Sequence, residues 1–116
     1  MFAHILRMRA RRKKAKGYEN FARQVTLPTL QKIGCQQAYF FRIFEARKPE
    51  YFWVVFWRDH KALEAARTGP VWREQKKKFE AGKFSKTMPL QTVCECLASF
   101  GGPPAAPPKK SAKRAR

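Results

Sequence analysis

Few side chains in this 116-residue chain are suited to acid–base or metal chemistry: two histidines, eight carboxylates and three cysteines. His4, if it faces a pocket, can act as a base or a ligand, because imidazole titrates near neutral pH. On a strand it can also be a packing residue with its hydrogen bonds satisfied. His60 follows Asp59 and belongs to an exposed helix start. Tyr39, Trp53, Trp57 and Trp72 either stack a planar ligand in a pocket or fill a core or subunit interface. Arg42 stands in an otherwise apolar stretch, as an edge residue or as an anion anchor inside a pocket. Cys94-x-Cys96 places two thiols on one strand face, with no nearby histidine or second cysteine pair to complete a metal site. No metal is expected. Walker, GxGxxG, HExxH, GxSxG and CxxC patterns are absent, so hydrolase, kinase and zinc-enzyme readings find no support.

The elements that would position these residues follow from periodicity. Phe2, His4, Leu6 and Met8 alternate with Ala3, Ile5, Arg7 and Arg9, the period of a strand. Tyr18, Phe21, Ala22 and Val25 recur at helical spacing from Gly17. Pro28 lacks a donor and clashes with the preceding turn, so the helix should kink or break there before ending at Gly34. A second strand is expected over Cys35–Glu45, and a short Arg47-Lys48-Pro49 turn leads to an antiparallel third, Tyr51–Trp57. Asp59 caps a helix that buries Ala62, Leu63, Ala65 and Ala66. Pro70 opens another, with Val71, Trp72, Gln75 and Phe79 inward and Gly82 closing it. Leu90–Phe100 reads as the last strand. The order β-α-β-β-α-β implies an α+β, ferredoxin-like fold, with both helical segments on one face of a four-stranded antiparallel sheet.

Residues 1–100 form the expected domain. Residues 101–116, rich in Pro, Ala, Lys and Arg, read as a disordered basic tail that cannot bury enough surface to offset its ordering entropy. Formal net charge is +18, and +13 remains without the five tail cations, so the folded part is itself basic. Such a charge attracts polyanions but says nothing about fold. The longest apolar run, Tyr51–Trp57, is far short of the roughly 20 residues a membrane helix needs. With no signal-like start and an odd cysteine count, a cytoplasmic protein without membrane contact is the expectation. That same run is apolar on both strand faces, where a sheet covered by helices on one side normally turns a polar face to water. A second copy, packed sheet to sheet about a two-fold axis, would cover the surplus; the alternative is that these aromatics are core under the helices and a covering tail.

The stretch KGYENFARQVTLPTLQKIGCQQAYFFRIFEARKPEYFWVVFWRDHKALEAARTGPVWREQ resembles the antibiotic biosynthesis monooxygenase (ABM) family of dimeric α+β barrels. Gly17, Leu27-Pro28, Ile33-Gly34-Cys35, Phe56-Trp57 and the Asp59 helix with Ala62 and Ala65-Ala66 carry the likeness, over about residues 3–98. It implies a homodimer with a pocket between helices and sheet, which oxidises a small aromatic or quinol-like compound with O₂ and no cofactor. The family's haem-degrading branch uses an Asn on strand one and a Trp and a His on the later helices. Here the strand offers His4 and the helix positions fall near Ala66 and Lys76, so haem degradation is not implied. Polyketide-oxidising members carry an Asn near the end of strand three, whereas the one Asn here is Asn20. His4 is then the candidate catalytic residue, with Tyr39, Arg42, Trp53, Trp57 and Trp72 around the pocket.

Two other classes compete. A non-catalytic dimer could bind a small aromatic molecule or serve as a structural unit, with its basic surface and tail touching nucleic acid non-specifically. An RNA-recognition motif shares the element order, but strand three has Glu50 where a cation is wanted, and strand one lacks a stacking aromatic.

Overall fold

The computed structural model describes residues 1–100, and the expected tail lies outside the described residues. Four antiparallel strands, β1 (Phe2–Arg9), β2 (Gln37–Arg42), β3 (Glu50–Trp57) and β4 (Leu90–Glu95), form one sheet in the order β2-β3-β1-β4. This is the ferredoxin-like α+β architecture. His4 sits opposite Val55 and Leu6 opposite Trp53, a register that puts the buried sets of both central strands on one face. Along β3 burial alternates strictly: Tyr51, Trp53, Val55 and Trp57 are buried beneath the helices, while Phe52, Val54 and Phe56 lie partly covered on the other face.

The first helical rod runs past Pro28 where a kink or break is expected. Helices α1 (Ala15–Phe21) and α2 (Leu27–Lys32) are joined by a π-helical turn over Ala22–Thr26. The helical backbone angles continue through Ala22 and Leu27. The wider turn lets the rod absorb a residue that cannot donate, so Pro28 is tolerated without a break. The rod ends at Gly34, whose φ of 94° only glycine adopts freely. Cys35 N–H bonds Leu30 O at 3.2 Å and Gly34 N–H bonds Gln31 O at 3.2 Å, which satisfies two of the last carbonyls.

Helix α3 (His60–Arg67) starts at Asp59, whose carboxylate accepts from the Ala62 N–H at 2.8 Å. It buries Leu63 and Ala66, but Ala65 is turned to solvent. Helix α4 (Pro70–Gly82) opens on Pro70 as expected, yet its left-handed terminal residue is Lys83, at φ 53°. Gly82 is needed for a different reason: a Cβ there would run into the ring of Phe84. Strands β2 and β4 are shorter than their apolar patterns suggest. β4 stops at Glu95, leaving Leu97 and Phe100 exposed beyond it.

Two apolar clusters meet under the helices. One gathers Leu30, Val55, Trp57, Leu63 and Ala66 around Trp53. The other is aromatic: Tyr18 and Tyr51, with Met8 and Ala10, packed by Phe21, Phe40, Phe79 and Phe84. The Phe84 ring stands 5.1 Å from that of Phe21 and 5.6 Å from that of Tyr18, so it cannot give way freely. Gly82→Ala should therefore destabilise the fold by about 1–3 kcal/mol through overpacking, although alanine is the better helix former. Urea denaturation measures this, and an unchanged midpoint would mean the ring relaxes without cost.

Candidate functional site

Between the sheet and the helices lies a cavity of about 80 Å³. Its floor is Leu6 and Met8 of β1 with Trp53 of β3. Tyr18 and Thr26 come from the first rod, Trp72, Gln75 and Phe79 from α4, and Met88 and Pro89 from the segment before β4. Inward placement of Trp72, Gln75 and Phe79 is the helical stripe of α4, with one polar member on an apolar face.

Polar groups around the cavity are arranged by hydrogen bonds that consume their acceptors. The Trp53 indole Nε1–H donates to the Tyr18 phenol oxygen at 3.0 Å. Among the described residues the phenol's own proton has no acceptor. Thr26 Oγ1 donates to Gln75 Oε1 at 2.6 Å in a fully buried contact, which leaves the Gln75 amide N–H₂ to donate. Gln91 repeats the pattern, because its Oε1 accepts from His4 Nε2 at 2.9 Å. Burial pushes the Tyr18 phenol up to about 12, the Trp53 bond opposing it only in part. Tyr18 is therefore a neutral donor at physiological pH, not a base. Lys76 and Glu80 supply the lining's charges. The cavity offers a ligand mainly N–H and O–H donors between aromatic walls.

Of the residues singled out by sequence, Trp53 and Trp72 line this cavity. His4 is buried, 4% exposed, and lies one residue away, behind Gln91. Trp57 packs in the core beside Leu63, outside the cavity lining, and its indole nitrogen is buried with no hydrogen-bond partner among the described residues. Arg42 ends β2 with a largely exposed side chain and faces Glu19 at 3.8 Å. That carboxylate also accepts from the Tyr51 hydroxyl at 2.7 Å. Tyr39 is on the opposite sheet face, stacked with Phe41. Cys94 ends inside β4 and Cys96 lies beyond it, so the two thiols do not share a strand. Among the described residues no cluster of three or more His, Cys, Asp or Glu could hold a metal, and no helix is long and apolar enough to cross a membrane.

Tyr18 and Gln75 are read from the sequence only as inward-facing helix positions, and neither they nor Thr26 and Gln91 are among its site candidates. A polar Gln75 on an otherwise apolar helix face was the available signal. Gln91 had none, since alternate polar residues are ordinary on an edge strand.

Burial pulls the His4 pKa below its ordinary 6.5, aided by the Arg67 charge and opposed by the Gln91 bond and Glu64. The unfolded chain then binds the proton more readily than the folded one. His4 accordingly contributes stability that is present above pH 6.5 and lost as the pH falls below it. Urea midpoints measured between about pH 7 and 5 should fall for the native protein and fall less for His4→Gln. Equal slopes in the two proteins would show that the His4 proton does not report on folding.

No protein-family model matches the chain, and no curated protein matches its sequence. Solved structures do match. A variant of SnoaB, a cofactor-independent oxygenase from Streptomyces nogalater, superposes with a TM-score of 0.69 at 17% identity, over 87% of this chain and 97% of that one. The Rv0793 protein of Mycobacterium tuberculosis gives 0.68 at 19% identity, over 84% and 96%. A further protein named antibiotic biosynthesis monooxygenase gives 0.68 at 12% identity, over 84% and 100%. With the β2-β3-β1-β4 sheet and the helices on one face, these likenesses show that the chain has the fold of the antibiotic biosynthesis monooxygenases.

Proposed function

We propose that the cavity binds a small aromatic compound bearing carbonyl or phenolic oxygens, and that the chemistry is ABM-type oxygenation. The observation that carries this reading is the donor set. Tyr18 and Gln75 line the cavity with their oxygens already engaged by Trp53 and Thr26, which leaves the phenol O–H and the amide N–H₂ to donate. Donors held in place before a ligand arrives stabilise charge that develops on an oxygen, without reorganisation at the moment of reaction. Trp53, Trp72 and Phe79 supply the flat apolar walls.

In this reading Glu80, the one carboxylate on the lining, takes a proton from a carbon made acidic by the ligand's own ring oxygens. The resulting carbanion spreads its charge onto the oxygen held by Tyr18 and Gln75 and meets O₂ directly. The sum R₂CH₂ + O₂ → R₂C=O + H₂O balances with no further reductant. His4 has no direct part, because its imidazole reaches the cavity only through Gln91.

Oxygen uptake with a panel of anthrone-like and quinol-like compounds tests this. Tyr18→Phe and Gln75→Leu should each lower kcat/KM by about 10–100-fold, while His4→Gln changes it little. Unchanged rates in both cavity variants would overturn the assignment. The exposed position of Glu80, the one carboxylate on the lining, favours one other reading, a non-catalytic binder. That protein would show ligand-dependent quenching of Trp53 and Trp72 fluorescence and no oxygen uptake with any of the panel.

We further propose that the protein acts as a homodimer joined through the free sheet face. Tyr39, Phe41, Phe52, Val54 and Phe56 share that face, with Phe41 and Phe52 stacked at 4.9 Å and Phe41 still 44% exposed. Gln37 Oε1, on the same face, is buried without a donor among the described residues. A continuous apolar face of this kind is more than soluble monomers usually leave in water, and a two-fold copy is its own complement. Sedimentation should find a dimer at micromolar concentration, and Phe41→Glu with Phe52→Glu should yield a folded monomer. A native protein that sediments as a monomer refutes this arrangement.

A further inference from the structure

Beside the cavity lies a larger, open cleft of about 730 Å³. Eight cations line it: Arg7, Arg9, Arg11, Arg12, Lys13, Lys14, Lys48 and Lys86. Its single carboxylate, Glu50, is already engaged by Arg7 at 2.7 Å and approached by Arg9 at 3.8 Å. The other six cations make no ion pair among the described residues. They come from three separate segments: the turn after β1, the turn between β2 and β3, and the segment between α4 and β4. Two backbone hydrogen bonds pin those segments together. Ala10 N–H donates to Pro49 O at 2.8 Å, and Arg11 N–H donates to Phe84 O at 2.7 Å. The charges are thus gathered by the fold and not merely scattered over a basic surface.

Like charges held this close repel one another and concentrate counterions, which a chain of phosphates releases on binding. Volume excludes a lone phosphate as the natural fit. Met88 and Leu90, 65% and 70% exposed, form part of the same wall. Apolar side chains beside free guanidinium groups suit a ligand that carries flat bases as well as charge, and those bases must be unpaired to be reached. We propose that this cleft is a binding site for single-stranded nucleic acid, held by its backbone with little preference for sequence. It does not rest on the oxygenation reading: Met8 and Met88 border both sites, but none of the six free cations lines the cavity.

The experiment is fluorescence anisotropy of labelled oligouridylate with the full chain, between about 50 and 200 mM salt. In one variant Arg11, Arg12, Lys13 and Lys14 are all replaced by Gln. In the control the same number of exposed cations elsewhere, Lys32, Lys61, Arg73 and Lys77, are replaced by Gln. Both lose equal charge, both keep residues 101–116 intact, and thermal melting checks that both fold. The cleft variant should bind at least about tenfold more weakly and lose about 3 from the slope of log K against log salt, at about 0.7 per phosphate contact. The control should change less than about threefold. Losses no greater in the cleft variant than in the control would overturn the site, leaving bulk charge as the cause. So would tripolyphosphate, an oligo-glutamate of equal charge or a duplex of equal length that bound the native protein as tightly as the single strand.

Discussion

Trp53 Nε1–H donating to the Tyr18 phenol at 3.0 Å joins the centre of the sheet to the first helical rod inside the core. A buried indole N–H left alone, as that of Trp57 is, costs about 1–3 kcal/mol, so a rod placed where Tyr18 can accept from Trp53 is favoured by that much. That placement then decides much else. It sets Tyr18 among Phe40, Tyr51, Phe79 and Phe84, with ring centroids 5.2–6.0 Å away. It also spends the phenol's lone pair inward and leaves its proton for the cavity. Packing and chemistry are the same contact seen from two sides.

The parity of β3 follows the same logic on a larger scale. Each residue must face helices or the opposite side, and the buried set Tyr51, Trp53, Val55 and Trp57 is fixed by the helices above it. Phe52, Val54 and Phe56 have no choice but the free face, where Tyr39 and Phe41 join them across the register. Within the single chain Phe52 stacks on Phe41 at 4.9 Å and Phe56 meets Tyr39 edge-on at 6.2 Å, yet the face they build stays only partly covered. Charge obeys a complementary rule: the six unpaired cations of the cleft sit in segments between the strands and helices, away from both apolar layers, where desolvation does not penalise them.

Element order, the Asp59 cap, the Pro70 start and the Gly34 stop could all be read along the chain, because each depends on local backbone chemistry. Pro28 misled in one respect. A missing donor signals a break, but whether a π turn absorbs it depends on Ala22 and Thr26 being packed against their neighbours, which is tertiary. The ends of β2 and β4 were over-read for the opposite reason. Phe44, Leu97 and Phe100 continue an apolar pattern that no partner strand continues. Site residues divide in the same way. Trp53 and Trp72 declared themselves by type, whereas Gln91 matters only because the pairing of β1 with β4 brings it beside His4.

His4 illustrates why type alone misleads about chemistry. An imidazole in a protein of few titratable groups draws attention as a base. Here burial keeps it neutral, its Nε2 proton is committed to Gln91, and its ring is closed off from the cavity. What it does is orient: with Gln91 Oε1 occupied, the amide N–H₂ is the end left free. Thr26 does the same to Gln75. Three acceptors at this site are each silenced by a neighbour's donor, and the cavity inherits the remaining protons. A site assembled this way favours ligands rich in oxygen lone pairs over ligands that must donate, and of the three residues that set it up only His4 stands outside the cavity lining.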